Sequence, residues 1–584
     1  MLSSCSNLLQ SPVRIGFIMN PPRLPLSSKP CRIMCLREEG ARSPRNSLEG
    51  SRRSADYHPS IWDHHLIQSI ESSYSDERFT ADLDELKLEA KYLLESYKEP
   101  SAQLHLIGSM QRLGVAYHLG EEINESLGKI YTNGLWPYHD VHQTALGFRL
   151  LREHGHCVPS DVFDKYRDEK GFKKCLARDV RGLLSLYEAS QFAIDGEEIL
   201  DEANKFSAMH LKLLEKQVDP HVAEQVRHSL EIPLRWRVPR LETKYFIDVY
   251  DRQECRNPVL LKLAKLDFNI VQSIHREEMR ELSKWWNELG LAQKLKFSRD
   301  RLLENYLWAV GIAHEPQFSK CRVGLTKLIC ILTVIDDVYD VYGLPEEVKL
   351  FTAAVKAWDL KAMDTLPDYL KCCFLALHNF VNETAADIEK DHGWDATALF
   401  RKEVWESLCE AYLTEAEWFH KGYKPTLEEY LENSWISVGG PIAMSHAYCL
   451  SGNTLSDNST SLLQQGGFQL IYWSSLIVRL SNDLGTSKAE MERGDTPKSV
   501  QCRMNESGET ERAAIERIRD MLSHSLKKLN EECWRTQLSR GFADMVLNMA
   551  RTSQCIFQHG DGIGTSNGVT KNKITSLFVE HYSV

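Results

Sequence analysis

Leu328-Ile-Cys-Ile-Leu-Thr-Val-Ile-Asp336-Asp337-Val-Tyr-Asp340 is the stretch on which the reading of this chain turns. Residues 328–335 are apolar or Thr, so the pattern predicts a helix lying in a core. Three carboxylates at its C-terminal end would be costly to bury unpaired. On a helix, Asp336 and Asp340 are i and i+4; they share one face and lie about 6 Å apart along the axis. Acids so placed repel unless a cation sits between them. Carboxylate oxygens with no Cys or His nearby suit Mg²⁺, which is commonly held by one or two carboxylates, waters and a substrate's phosphates. Taken alone, the cluster reads equally well as a solvated acidic helix end ahead of the turn at Gly343-Leu344-Pro345.

A second stretch, Arg479-Leu-Ser-Asn482-Asp483-Leu-Gly-Thr486-Ser-Lys488-Ala-Glu490, places an amide, a hydroxyl and a carboxylate at i, i+4 and i+8. That spacing lays Asn482, Thr486 and Glu490 along one face of two helical turns. Phe468 to Leu480 upstream is rich in apolar and aromatic residues, so this stripe also leaves a buried helix. Two such stripes facing each other would hold several divalent ions, and an ion cluster needs an anion of high charge, for which diphosphate is the natural candidate. Arg299-Asp300-Arg301 and Arg479 supply guanidiniums for the same anion, because Arg forks bind phosphate oxygens and stay charged.

These residues carry a family resemblance. The chain resembles a plant class I terpene synthase of the angiosperm monoterpene type. DDVYD is similar to the aspartate-rich motif, NDLGTSKAE to the second metal motif with Thr in the hydroxyl slot, and Arg299-Asp300-Arg301 to the RxR motif. Arg52-Arg53 followed by eight residues and Trp62 is similar to the paired-arginine mark of these enzymes, and matching segments run to Gln558-His-Gly-Asp-Gly562. The resemblance implies an all-α fold of two helical domains: a non-catalytic N-terminal α-barrel over 52–255 and a C-terminal metal-binding bundle over 256–584. It implies Mg²⁺, three ions, or Mn²⁺, with Asp336, Asp337, Asp340, Asn482, Thr486 and Glu490 as metal residues. Arg299, Arg301 and Arg479 would hold the diphosphate of geranyl diphosphate, which would ionise, isomerise and cyclise to a C10 olefin or alcohol. A monomer is expected. Acyclic products of the linalool or ocimene type, and dimethylallyl or farnesyl diphosphate as substrate, stay open. A helical lipid-binding protein with a dead site is the reading from another class. Ile329, seven residues before Asp336, stands where isoprene synthases tend to carry Phe.

Composition sets the outer bounds. With 584 residues, 42% hydrophobic, the chain is long enough for more than one core. A net charge of −12 argues against a nucleic-acid partner. Fifteen cysteines without a CxxC pair read as reduced thiols. No segment approaches the roughly 20 apolar residues of a spanning helix, so no membrane partner is expected. Residues 1–51 are rich in Ser, Pro and Arg, with Glu38 the first acid, the pattern of a plastid transit peptide.

After Trp62 nearly every segment reads as helix: Leu83–Leu94, Gln103–Tyr131, Ala145–Glu153, Val180–Ala189 and Ile199–Gln217 have apolar residues at three and four spacing. Pro100, Pro137, Pro159, Pro220 and Pro233 punctuate them, and Arg252 to Pro258 marks a boundary. Ser437-Val-Gly-Gly-Pro441 predicts a helix break, which the resemblance places at the pocket with carbonyls turned to a carbocation. Arg493-Gly-Asp-Thr-Pro-Lys498 is expected to form a loop that closes over the site and excludes water. Trp308, Tyr412, Tyr472, Phe557 and His559 are the candidate pocket aromatics, Trp308 foremost.

Overall fold

The computed structural model describes residues 52–134, 140–453, 467–564 and 568–583. The expected transit segment over 1–51 and the break at Pro137 lie outside them. Helix follows helix from His64–Gln68 to Val569–Phe578, and the one β pairing among the described residues is a two-residue ladder, Arg167 with Phe172 and Asp168 with Gly171. The protein is all-α, and the prolines show how the chain sets its boundaries. Pro100, Pro220, Pro239 and Pro258 each stand in the first turn of a helix, where the missing N–H costs nothing. Asp219 and Asn257 cap two of these helices, their side chains accepting from backbone N–H groups of the first turn.

The expected single helix Gln103–Tyr131 is in fact two, Pro100–Arg112 and Gly120–Thr132, joined by a short 3₁₀ turn. Gly114 causes the break. Its φ is +74°, and a Cβ there would stand 2.3 Å from Thr243 Oγ1. Periodicity alone does not see this, because apolar residues continue through the turn to Val115 and Leu119.

The chain breaks between Pro239–Asp251 and Pro258–Leu289, within the interval 252–258. Pro258–Leu289 packs against Glu77–Ser96 on one side and against Leu302–Ile312 and Ser319–Asp337 on the other. One hydrophobic core accordingly runs from Ile67 to Phe578 through both halves. In the second half, Ser319–Asp337 lies against Leu302–Ile312, Gly440–Leu450 and Asp368–His392, while Phe468–Arg493 lies against Arg540–Phe557 and Glu511–Arg535. The two acid-bearing helices are thereby fixed on opposite walls of one bundle. The cysteines among the described residues are free thiols. Among these residues no helix is long and apolar enough to cross a membrane.

Candidate active site

The aspartate helix runs as α-helix over Ser319–Asp337 and widens into a π turn over Val338–Tyr342, closed by Gly343 N–H to the Val338 carbonyl at 2.7 Å. Such local widening is frequent at functional sites, and here it carries Asp340. Asp336 lines the cavity, while Asp340 is solvent-accessible and not among the residues lining it. Asp337 does not join them. It is fully buried, and both its oxygens are occupied: Oδ2 accepts from Ser298 Oγ (3.0 Å) and Arg299 N (2.7 Å), Oδ1 from Arg299 Nε (2.9 Å). Its place corrects the expectation of a supporting metal residue, because i+1 on a helix points about 100° away from Asp336. Asp337 instead anchors Arg299, whose Nη2 reaches Asp336 Oδ2 at 2.5 Å. Burial lowers the Arg299 guanidinium, but Asp337, Tyr57 and Asp336 outweigh it and hold it well above its ordinary value.

On the opposite wall, Phe468–Arg493 carries the second stripe. Arg479 Nη1 donates to Asn482 Oδ1 (3.0 Å) and Asp483 Oδ1 (3.2 Å), and Thr486 Oγ1 donates to the Asn482 carbonyl (2.9 Å). Asp483 is fully buried and plays the part that Asp337 plays opposite, taking Tyr430 Oη and Ser499 N as well. Glu490 Oε2 is buried with no hydrogen-bond partner, and burial pushes its carboxyl above the usual range. The neighbouring carboxyl of Asp336 pushes the Asp340 carboxyl above the usual range, against the pull of Lys498. Oxygen donors held apart, with carboxyls pushed up and one oxygen orphaned, are what a hard divalent cation relieves. The donor set therefore fits Mg²⁺. Among the described residues no three His, Cys, Asp or Glu side chains already converge on one point.

Between the two walls lies a cavity of about 160 Å³, polar at one end with Arg299, Asp336, Arg479 and Asn482 and apolar elsewhere. Trp308, Tyr412 and Phe557 line it as expected, with the rings of Trp308 and Phe557 6.2 Å apart. Tyr472 and His559 do not. Tyr472 packs outside, between Trp435 and Phe468, and His559 is half exposed and pairs with Glu231 of the N-terminal half. The break at 437–441 does border the cavity: Leu427–Ser437 ends, Gly439 takes φ +80°, and Gly440–Leu450 begins. Pro441 has no N–H to give the Ser437 carbonyl four residues back. Gly440 is required by close approach, since a Cβ would stand 2.1 Å from Ser475 Oγ.

The mouth is strapped by the segment after Arg52. Arg52 donates to both oxygens of Glu347 (2.7 Å each) and to the Tyr342 carbonyl (3.1 Å); Arg53 donates to the Asp340 carbonyl (3.1 Å) and to Asp495 (2.5 Å). The paired arginines thus cap the last carbonyls of the aspartate helix, where cations are favoured. Arg301 is not aimed at the cavity. It is 1% exposed and donates to the carbonyls of Ile563, Gly564 and His58, so it pins the strap and the C-terminal loop where a diphosphate clamp was expected. Sequence reasoning missed Lys498. Buried at the end of the 494–498 loop, it gives Nζ to Glu415 Oε2 (3.0 Å) and faces Asp340 and Glu490. Glu415 also accepts from Ser437 Oγ, which ties the loop to the helix break. The one signal in the sequence was a lysine closing the loop after the second stripe.

A helical cavity with oxygen donors on two facing helices and arginines at its polar end has the features that a metal-dependent enzyme acting on a diphosphate requires. Residues 61–230 match the N-terminal domain model of the terpene synthase family and residues 287–528 its metal-binding domain. The chain is 54% identical over 567 residues to trans-ocimene synthase, chloroplastic, of Litsea cubeba, covering 96% of each. Limonene synthase with 2-fluorolinalyl diphosphate superposes with a TM-score of 0.88 at 38% identity, covering 91% of this chain and 100% of that one. Isoprene synthase of grey poplar leaves, in complex with three Mg²⁺ ions and dimethylallyl-S-thiolodiphosphate, gives 0.83 at 38% identity over 90% and 99%. The chain belongs to the terpene synthase family.

Proposed function

We propose that this protein is a plastid monoterpene synthase that ionises geranyl diphosphate and releases diphosphate and a C10 product. The observation that carries it is the union, in one cavity of about 160 Å³, of a polar end bearing Asp336 and Asn482, the leading residues of the two stripes, and an apolar remainder lined by Trp308, Tyr412 and Phe557. Asp336 and Asp340 on one wall and Asn482, Thr486 and Glu490 on the other would hold Mg²⁺, three ions by analogy with the poplar enzyme, or Mn²⁺. The metal supplies Lewis-acid stabilisation of the leaving diphosphate. Arg299 and Arg479, already oriented by Asp337 and Asp483, donate to its oxygens as the allylic C–O bond breaks. Lys498 adds a third fixed cation from the loop. Trp308 and Phe557 present ring faces to the allylic cation, each worth about 0.5–2 kcal/mol within roughly 6 Å. The strap and the 494–498 loop exclude water until the cation has lost a proton or captured a chosen nucleophile.

Cyclisation through an isomerised intermediate is one outcome, favoured by the limonene synthase likeness; an acyclic olefin is the second, favoured by the likeness to trans-ocimene synthase. Protein beginning at Arg52 is expected to release a volatile C10 product from geranyl diphosphate only with Mg²⁺ or Mn²⁺ present. Asp336→Ala is expected to abolish turnover while circular dichroism stays helical. Turnover in metal-free buffer, or full activity of that variant, would overturn the assignment, and gas chromatography of the product separates the two outcomes.

A further inference from the structure

Helices Pro100–Arg112, Val141–Glu153, Val180–Ser190, Pro220–Glu231 and Pro239–Asp251 surround a second cavity, of about 190 Å³, that shares no residue with the diphosphate site. Cavities of comparable size stay dry when their walls are apolar. This wall carries the guanidiniums of Arg112, Arg149 and Arg237. Arg237 is fully engaged, with Glu242 Oε2 (2.6 Å) and the carbonyls of Ile232 and His228. The other two are not. Arg149, only 7% exposed, gives Nη1 to Glu153 (3.1 Å) and Gln111 (3.4 Å), while its Nε and Nη2 have no acceptor among the described residues. Arg112 gives Nε to Glu242 (2.8 Å) and lies 3.8 Å over the Phe246 ring, leaving both terminal nitrogens without an acceptor among those residues.

The surrounding charge has the same sign. Glu153, the partner of Arg149, is shared with Arg235 and Arg551, and Glu242 is shared by Arg112 and Arg237. The lining itself carries three guanidiniums, Arg112, Arg149 and Arg237, against one carboxylate, Glu188. Burial raises Glu188 above the usual carboxylate range, which weakens even that negative charge. The free edges of Arg149 and Arg112 open onto the cavity, not into closed core, and the group that best matches a guanidinium edge without a protein acceptor is an oxyanion accepting two parallel N–H bonds. A cation would be repelled here, and an apolar guest would leave the arginine donors unmet.

We propose that this cavity is a metal-independent binding site for a phosphate-type oxyanion, held by the free edge of Arg149 and the terminal nitrogens of Arg112. Gly108 supplies the room. A Cβ there would sit 3.4 Å from Leu146 and 3.5 Å from Arg149 Nη2, so a longer side chain at 108 fills the anion's place without removing a charge.

The test is a titration of the full chain, in chelator and without divalent metal, with inorganic phosphate and separately with diphosphate, followed by calorimetry and ³¹P NMR. One saturable site per chain is expected, and it persists in Asp336→Asn, in which the metal site is impaired. Affinity is expected to fall about tenfold or more in both Arg149→Met and Gly108→Leu. Gly108→Leu keeps every charge, so unchanged circular dichroism and unchanged turnover of geranyl diphosphate in it separate a lost site from a lost fold. Stronger binding of diphosphate would identify the leaving group as occupant, and stronger binding of phosphate a phosphomonoester or free phosphate. No saturation by millimolar anion, loss of the site in Asp336→Asn, or unaltered affinity in both cavity variants would overturn the proposal.

Discussion

Replacing Lys498 by Met tests whether the loop lysine belongs to the diphosphate site or only neutralises Glu415. The two charges are 6% and 3% exposed and 3.0 Å apart. At an effective dielectric of about 20 their attraction is ~5.5 kcal/mol. Lys498→Met forfeits that attraction and leaves a buried carboxylate behind. Glu415 keeps Ser437, Asn433 and the more distant Arg479, so the net loss should fall at about 3–5 kcal/mol, the usual cost of breaking a buried pair from one side. Adding Glu415→Gln removes the orphaned charge while retaining the amide's hydrogen bonds, and most of the stability should return. Turnover should not. If Lys498 donates to the leaving diphosphate, kcat falls about 10²–10³-fold in the single and the double variant alike. Denaturant unfolding and gas chromatography of product from geranyl diphosphate measure the two effects separately. Recovery of turnover together with stability in the double variant would refute the catalytic role, and an unaltered denaturation midpoint in Lys498→Met would refute the buried-pair estimate.

Three further outcomes are expected. In metal-free protein the raised carboxyl of Glu490, whose Oε2 is buried, keeps a proton that the unfolded chain has lost, so stability should fall as pH rises above the ordinary carboxyl range near ~4. Saturating Mg²⁺ binds the deprotonated group and should abolish the decline; thermal melts with and without metal that run parallel above that range would contradict the linkage. Gly114→Ala should destabilise by about 2–4 kcal/mol, from φ +74° and the contact with Thr243, with Thr243→Ser recovering a part in denaturant titrations. Ile329 lines the cavity, so Ile329→Phe should shorten it and raise kcat/KM for dimethylallyl relative to geranyl diphosphate; an unchanged ratio would remove Ile329 from the length-determining wall.

Much of the candidate site was legible because its oxygen side chains recur at helical spacing. Asp336 and Asp340, then Asn482, Thr486 and Glu490, stand out at i+4 intervals against apolar flanks, and the break at 437–441 is announced by two glycines and a proline. Asp337 misled because adjacency in a motif is not adjacency in space: one residue along the helix turned it from the cavity to Ser298 and Arg299. Arg301 misled for the same reason, two residues beyond Arg299 and bound to carbonyls of segments 243 residues before it and 262 after it. Tyr472 and His559 show that an aromatic near a motif is more often packing or surface than pocket.

The sequence by itself determined the all-α class, the two acid stripes and the chemistry that such oxygen ligands suit, because helix periodicity and ligand type are local properties. Only the tertiary structure decided which of the charged residues meet. Lys498 against Glu415, Arg53 against Asp340 and Asp495, and the half-satisfied Arg149 of the N-terminal cavity are contacts between distant segments. Their cost or benefit depends on burial and on the partners each charge finds, and neither is written in any window of the chain.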